Sequence, residues 1–297
     1  MYKVTENFKS DTNKSNTRTY NNNYSKESWQ ERQAREREIA YDTMEEMTTK
    51  IQDDGKLFQK YLDIQSRFEK HSVGNCLIIL KNNPNVTQFR DKKTWENLGV
   101  NLLPNPKSIT ILEPYKSKTN EVIYYNPKKV YDISQTNSKA KAEKVYSNNE
   151  IAQGFVHDCY AEIEVVDTLP DGTLGAYYDK EKNIVYACRG IDETLSLQTI
   201  SQEIANVEMR TEDEGNLKDF KSYCISYMLC KKYGVDVSNY DFSQLPEELK
   251  TKEKGSEIRA ELEQMRKNFK KINDRVTEYF EQNFKERRNE MQERQVQ

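Results

Sequence analysis

Two kinds of chemistry can be looked for among the side chains of this sequence, metal-assisted catalysis and the binding of a polyanion. The first is poorly provided for. Histidine occurs only at His71 and His157, which cannot place two imidazoles one helical turn apart, the arrangement a helical zinc site needs. Five cysteines, Cys76, Cys159, Cys188, Cys224 and Cys230, form an odd and irregularly spaced set, as expected of reduced thiols rather than a disulfide framework. Cys224 and Cys230 would lie about 600° apart around a helix, a poor geometry for one metal. The second chemistry has more to work with. Tyr61, Phe68, Phe89, Trp95, Tyr124 and Tyr125 are interleaved with Arg67, Lys70, Arg90, Lys92, Lys93 and Lys107, the mixture that stacks bases and neutralises phosphates on a single strand. Composition alone leaves a second reading open, in which the aromatic residues form a core and the cations a solvated face.

Charge is distributed unevenly. Residues 1–56 carry 10 basic and 11 acidic side chains, residues 57–145 carry 15 and 8, and residues 146–297 carry 21 and 30. The net charges of −1, +7 and −9 sum to the −3 of the whole chain. A basic module between more acidic flanks points to a polyanion for that module rather than adsorption by the whole molecule. Hydrophobic residues make up 35% and charged residues 32%, and no apolar run approaches the ~20 residues that span a bilayer. With no apolar segment typical of a signal peptide in the first residues, the expected location is the cytoplasm, without a membrane partner.

Residues 1–28 are rich in Asn, Ser, Thr and Lys and are expected to form a disordered tail. From Trp29 the spacing of Ala40, Met44, Met47 and Ile51 predicts a helix with Gly55 as its C-cap. A second helix carries Leu57, Tyr61, Ile64 and Phe68. The apolar run NCLIIL ends at Asn82-Asn83-Pro84, and VTQF, SITIL and EVIYY read as strands. Residues 146–250 repeat the mixture: a helix near 148–158, strand AEIEVV, a hairpin of GAYYD and IVYAC, and helices over 193–209 and about 217–233, the last stopped by Gly234. Beyond Pro246, Ile258, Leu262, Met265, Phe269, Ile272, Val276 and Phe280 predict one long amphipathic helix, docked on the body of the protein or forming a dimer seam.

The stretches YLDIQSRFEKHSVGNCLIIL, NPNVTQFRDKKTWENLG, SITILEP and VYDISQTN resemble, in order and spacing, the N-terminal domain of the ArdC-type antirestriction proteins of plasmids and conjugative elements. The resemblance covers about residues 57–137. It implies a single-stranded DNA-binding domain that helps incoming plasmid DNA survive restriction, and it puts Arg67, Ser72, Asn75, Trp95 and Gln135 on matching positions. Arg67 would pair a phosphate, Ser72 and Asn75 would hydrogen-bond backbone or base, and Trp95 would stack a base. With the cations Arg90, Lys93 and Lys107, these form the predicted DNA-binding set. Between Gly99 and Ile109 the family's basic pair and Gly-Glu are replaced by Leu103-Pro104-Asn105-Pro106, which removes two phosphate contacts. For several of these residues the structural alternatives are a core position for Trp95 and Phe68, a helix cap for Ser72, and a closed turn for Asn75 and Gln135.

The segment from Gly175 to Met209 resembles the second half of the same family, a zincin-like domain related to the ImmA and IrrE proteins, in which a hairpin precedes a helix bearing His-Glu-x-x-His. Here the matching residues are Gln202-Glu203-Ile204-Ala205-Asn206, and the third ligand position aligns with Lys221. Amides are poor zinc ligands and an ammonium repels a cation, so the expectation is a pseudopeptidase with no metal and no cofactor, in which Glu203 has no metal-bound water to activate. On the helix, Leu197, Ile200, Ile204 and Val207 share a face roughly opposite Gln202 and Asn206. The predicted fold class is α+β: a tail over 1–28, an ssDNA-binding domain over 29–145, a zincin-like domain over 146–250 and a C-terminal helix over 251–297. The expected partners are single-stranded DNA, a host or element-encoded protein on the zincin-like domain, and a second copy of the chain through the C-terminal helix. An active metallopeptidase with unusual ligands and a protein-binding anti-host factor are the competing functions.

Overall fold

The computed structural model describes residues 27–116, 123–139, 144–211 and 216–296, so most of the predicted tail lies outside the described residues. Its end is engaged. Ser28 caps helix α1 (Trp29–Asp53) in a reciprocal capping box with Glu31, satisfying donors that the first helical turn leaves unpaired. Asp54 ends α1 and also caps α2 (Gly55–Arg67), accepting from the Leu57 N–H. Gly55 therefore opens the second helix rather than closing the first. A Cβ there would lie 1.7 Å from the Phe242 carbonyl oxygen, so the glycine is set by a close backbone approach from a remote segment and not by helix termination.

The apolar run NCLIIL lies in α3 (Val73–Asn82), buried along nearly all its length, which removes the one-sided periodicity that marks a surface helix. VTQF supplies only β1 (Phe89–Arg90), before the short helix α4 (Lys92–Asn97). Strands β2 (Ile109–Lys116) and β3 (Ile123–Asp132) pair antiparallel, and β1 joins the other edge of β3. After α5 (Asn148–Val156), strands β4 (Glu162–Val166), β5 (Ala176–Asp179) and β6 (Ile184–Cys188) form a second sheet in the order β4-β6-β5, with β4 parallel to β6. The β5–β6 hairpin turns at Asn183, whose φ of 58° is a conformation asparagine tolerates. Helices α6 (Glu193–Glu208), α7 (Asn216–Tyr233), α8 (Glu247–Lys250) and α9 (Gly255–Val296) complete a mixed α+β fold.

The seven apolar residues predicted for the last helix, Ile258 to Phe280, are all buried inside the molecule. Helix α9 thus docks, and the stripe offered as a dimer seam is already occupied. It contacts α1, α3, α5, α6 and α7. One cluster of buried side chains runs from Ala40 to Phe280, so the sequence divisions at 145 and 250 fall within a continuous core. Phe58 of α2 shows why: its ring lies 5.5 Å from that of Phe220 on α7 and 6.0 Å from that of Phe242.

Candidate functional site

Four of the predicted DNA contacts hold the protein together. Ser72 caps α3, accepting from the Asn75 N–H at 3.3 Å. Asn75 is buried, its amide donating to the Leu112 carbonyl at 2.9 Å and accepting from the Leu112 N–H at 2.8 Å, so it serves the free edge of β2 as a neighbouring strand would. Gln135 repeats the arrangement, accepting from the Lys107 N–H at 2.6 Å and donating to its carbonyl at 3.0 Å. It thereby fixes the end of the Leu103-Pro104-Asn105-Pro106 loop, where Asn105 has φ 55°. Trp95 is 2% exposed and donates its indole N–H to the Tyr131 carbonyl at 2.9 Å. It cannot stack a base. In Asn75 and Gln135 the amide groups are spent on internal backbone and in Trp95 the ring is buried, whereas Ser72 is exposed and its hydroxyl proton is not used by the cap. Phe68 is also packed, its ring 4.9 Å from that of Phe89.

The cations fare differently. Arg90, Lys93 and Lys107 are exposed, and none makes an ion pair with another described residue. Lys92 is paired with Glu96 at 3.7 Å. The Arg90 guanidinium lies 5.8 Å over the Trp95 ring, and the exposed aromatic residues are on the hairpin. Tyr115 and Tyr124 face each other in register across β2 and β3 and are 51% and 47% exposed, and Tyr125 is exposed as well. Tyr115 escapes a reading by composition, because only strand register shows that it doubles Tyr124. Arg90 pairs opposite Tyr131 near one end of β3, and Lys107 stands just before Ile109, which pairs with Val130. Lys128 bridges Asp91, immediately before α4, at 3.2 Å and Glu113 at 3.0 Å, tying the start of α4 to the middle of β3. Tyr131, opposite Arg90, and Tyr124, opposite Tyr115, lie seven residues apart on β3, about 23 Å at ~3.3 Å per residue, and this odd spacing turns them to opposite faces of the sheet.

Helix α6 buries Leu197, Ile200, Ile204 and Val207 and turns the predicted degenerate site away from the core. Glu203 accepts from the Tyr178 N–H of β5 at 3.2 Å and from the Asn206 amide at 3.1 Å. Burial pushes its carboxyl above the ordinary glutamate range, against those hydrogen bonds and with the help of Asp219 and Asp171 nearby. The Asn206 carbonyl oxygen is buried without a partner. Gln202 lines a separate cleft of about 180 Å³ with Tyr223 and Tyr240. Lys221 is the clear correction. It is 7% exposed, pairs with Glu261 of α9 at 2.9 Å and donates to Gln264. On α7 the residues turned toward α6 include Asp219 and Tyr223, and Lys221 sits about 200° around the helix from Asp219. The three positions are therefore not brought together, and among the described residues no group of three or more His, Cys, Asp or Glu is placed to hold a metal ion. Two amides and a lysine committed elsewhere do not fit zinc. His71 lies between aromatic rings, 4.8 Å from Phe89, and His157 lies 5.4 Å from Tyr279.

Glu203→Gln tests this local chemistry. A carboxyl whose folded pKa exceeds its unfolded one binds more protons in the native state, so it costs stability as pH rises from the ordinary glutamate value through the raised one. Gln keeps an acceptor for the Tyr178 N–H and the Asn206 amide, and has no charge to desolvate. The variant is expected to gain about 1 kcal/mol at pH 8 and less at pH 4, in thermal melts at both values. A loss of stability at pH 8 would contradict this account.

No protein-family profile and no curated protein matches the chain. Among solved structures it is similar to the metal-free crystal structure of the antirestriction ArdC protein from R388 plasmid, at 12% identity and a TM-score of 0.46, over 70% of this chain and 83% of that one. The Mn(II)-bound structure of the same protein gives 12% identity and a TM-score of 0.45 over the same shares. The family that the sequence motifs resemble is the one these structures represent. No helix among the described residues is long and apolar enough to cross a membrane.

Proposed function

We propose that the chain is a single-stranded DNA-binding, antirestriction-like accessory protein of a mobile element, acting in the cytoplasm, whose peptidase-like half is a catalytically inactive scaffold. The observation that carries the binding half is the makeup of the surface around the β1-β3-β2 sheet: three exposed cations without ion pairs among the described residues, and the exposed Tyr115–Tyr124 pair on the hairpin. Cations neutralise the backbone while flat rings accept any base, a combination that suits a flexible single strand better than a stacked duplex. The sequence resemblance over residues 57–137 supports the antirestriction setting. The inactive half is supported by the donor set at Gln202, Asn206 and Lys221, which offers no zinc ligand. This role leaves its surface available to a host or element-encoded protein.

A titration of the full chain with fluorescent oligonucleotides is expected to show single strands bound at least ~10-fold more tightly than duplex. Affinity should fall linearly on a log–log plot against salt, with a slope of about −2 for three phosphates neutralised. Equal affinity for both forms, or no dependence on salt, would remove the proposal.

A further inference from the structure

A second basic feature involves none of Arg90, Lys93 and Lys107. A cleft of about 550 Å³ opens between the end of α2, the last turn of α7 and the segment before α5, and Asp63, Arg67, Lys144, Tyr146, Lys231 and Lys232 are among the residues that line it. Three segments remote in sequence thus bring four cations to one concavity, with a single carboxylate among its lining residues.

The four cations are held in different ways. Arg67 donates to three backbone carbonyls, those of Asp63, Val86 and Pro84. Its guanidinium is fixed in place, makes no ion pair among the described residues, and retains two of its five N–H donors. Lys231 reaches Asp63 at 3.3 Å, but that carboxylate also accepts from the Tyr227 hydroxyl at 2.7 Å. Lys232 pairs with Glu69 at 3.0 Å and contacts the Ser66 carbonyl. Lys144 is exposed and lies 4.3 Å over the Phe284 ring. Asp63 and Glu69 offset two of the four charges, leaving an excess of about two, with ammonium donors to spare. Beside them stand Tyr146, stacked on Phe280 with ring centres 3.7 Å apart, and Tyr233, whose hydroxyl donates to Asn273 at 2.8 Å.

We propose that this cleft is a binding pocket for the terminal phosphate of a nucleotide, with Arg67, Lys144 and Lys231 as the phosphate donors and the tyrosines as the wall beside the sugar and base. A phosphomonoester near pH 7 carries a charge of about −1.5 to −2, matching the excess, whereas an internal phosphodiester carries one. A preorganised arginine is suited to a tetrahedral oxyanion because its donors do not have to be ordered on binding. The ligand is either the 5′-phosphorylated end of a strand, in which case this inference rests on the DNA-binding proposal above, or a free mononucleotide.

The test compares a 5′-phosphorylated with a 5′-hydroxyl oligonucleotide by fluorescence anisotropy, and dTMP with thymidine by calorimetry, on the full chain and on a Lys144→Ala/Lys231→Ala variant. Both lysines are at or near the surface, so the variant is expected to melt as the parent does. The end phosphate is expected to tighten oligonucleotide binding at least ~10-fold in the parent and not in the variant, while affinity for the hydroxyl end changes little. Should the phosphate add nothing to the oligonucleotide while dTMP binds better than thymidine, with the preference lost in the variant, the pocket takes the free nucleotide. If neither pair is distinguished, or the distinction survives in the variant, the cleft is not a phosphate pocket. Binding of dTMP without binding of any oligonucleotide would sink the DNA-binding proposal and leave this one standing.

Discussion

Replacing Arg90, Lys93 and Lys107 together by glutamate is expected to weaken single-stranded DNA binding by ~100-fold or more at moderate salt and to flatten the salt dependence. The estimate follows from counterion release. Each lost phosphate contact removes about 0.7 from the slope on a single strand, and the introduced acids repel the backbone rather than merely failing to attract it. The three side chains are exposed and make no ion pair with a described residue, so apart from the contact of Arg90 with the Trp95 ring at 5.8 Å their replacement costs the fold little. Tyr115→Ala with Tyr124→Ala should leave the salt slope intact and weaken binding by ~10-fold or more, as loss of base stacking does. If the charge-reversed chain binds as before while the cleft variant does not, the strand lies across the cleft and not on the surface around the β1-β3-β2 sheet. Trp95→Ala would say little about DNA, because a buried indole and its hydrogen bond to Tyr131 are lost together.

Phe269→Ala is expected to destabilise the whole molecule by about 4 kcal/mol, the usual cost of emptying a fully buried phenylalanine site. The informative part is where the loss is felt. Phe269 lies on α9, and its cluster continues through α7 to Phe58 and the N-terminal helices. Trp95 is buried in the N-terminal half, whereas the other tryptophan, Trp29, is 67% exposed, so tryptophan fluorescence on unfolding reports mainly on that half. Denaturant melts followed by fluorescence and by helical circular dichroism should coincide in the parent and shift together in the variant. A fluorescence transition that stays in place while the dichroism shifts would mean that the N-terminal half folds by itself and that α9 stabilises only the remainder.

The sequence was sufficient where the deciding interaction is local. The spacing of Ile258 to Phe280 defined the buried face of α9, because helical period and burial repeat together along one element. Gly234, at φ 78°, marked the end of α7 because few other residues adopt that conformation without strain. The absence of imidazoles at positions 202 and 206 of α6 was legible for the same reason, since ligand identity is a property of single positions. Residues whose roles depend on distant partners were legible only as types. Asn75 and Gln135 read as polar and available, yet each is consumed by a backbone segment 37 or 28 residues away. Lys221 lies on the expected helix, but rotation about its axis and the docking of α9 direct it to Glu261. Tyr115 gained its place beside Tyr124 from the register of the hairpin, and Arg67, Lys144 and Lys231 became neighbours only because α2, α7 and the segment before α5 converge. Periodicity constrains which face of an element is buried. Which groups then meet across the fold is fixed by the long-range packing of those faces, and a single sequence does not encode it in any local pattern.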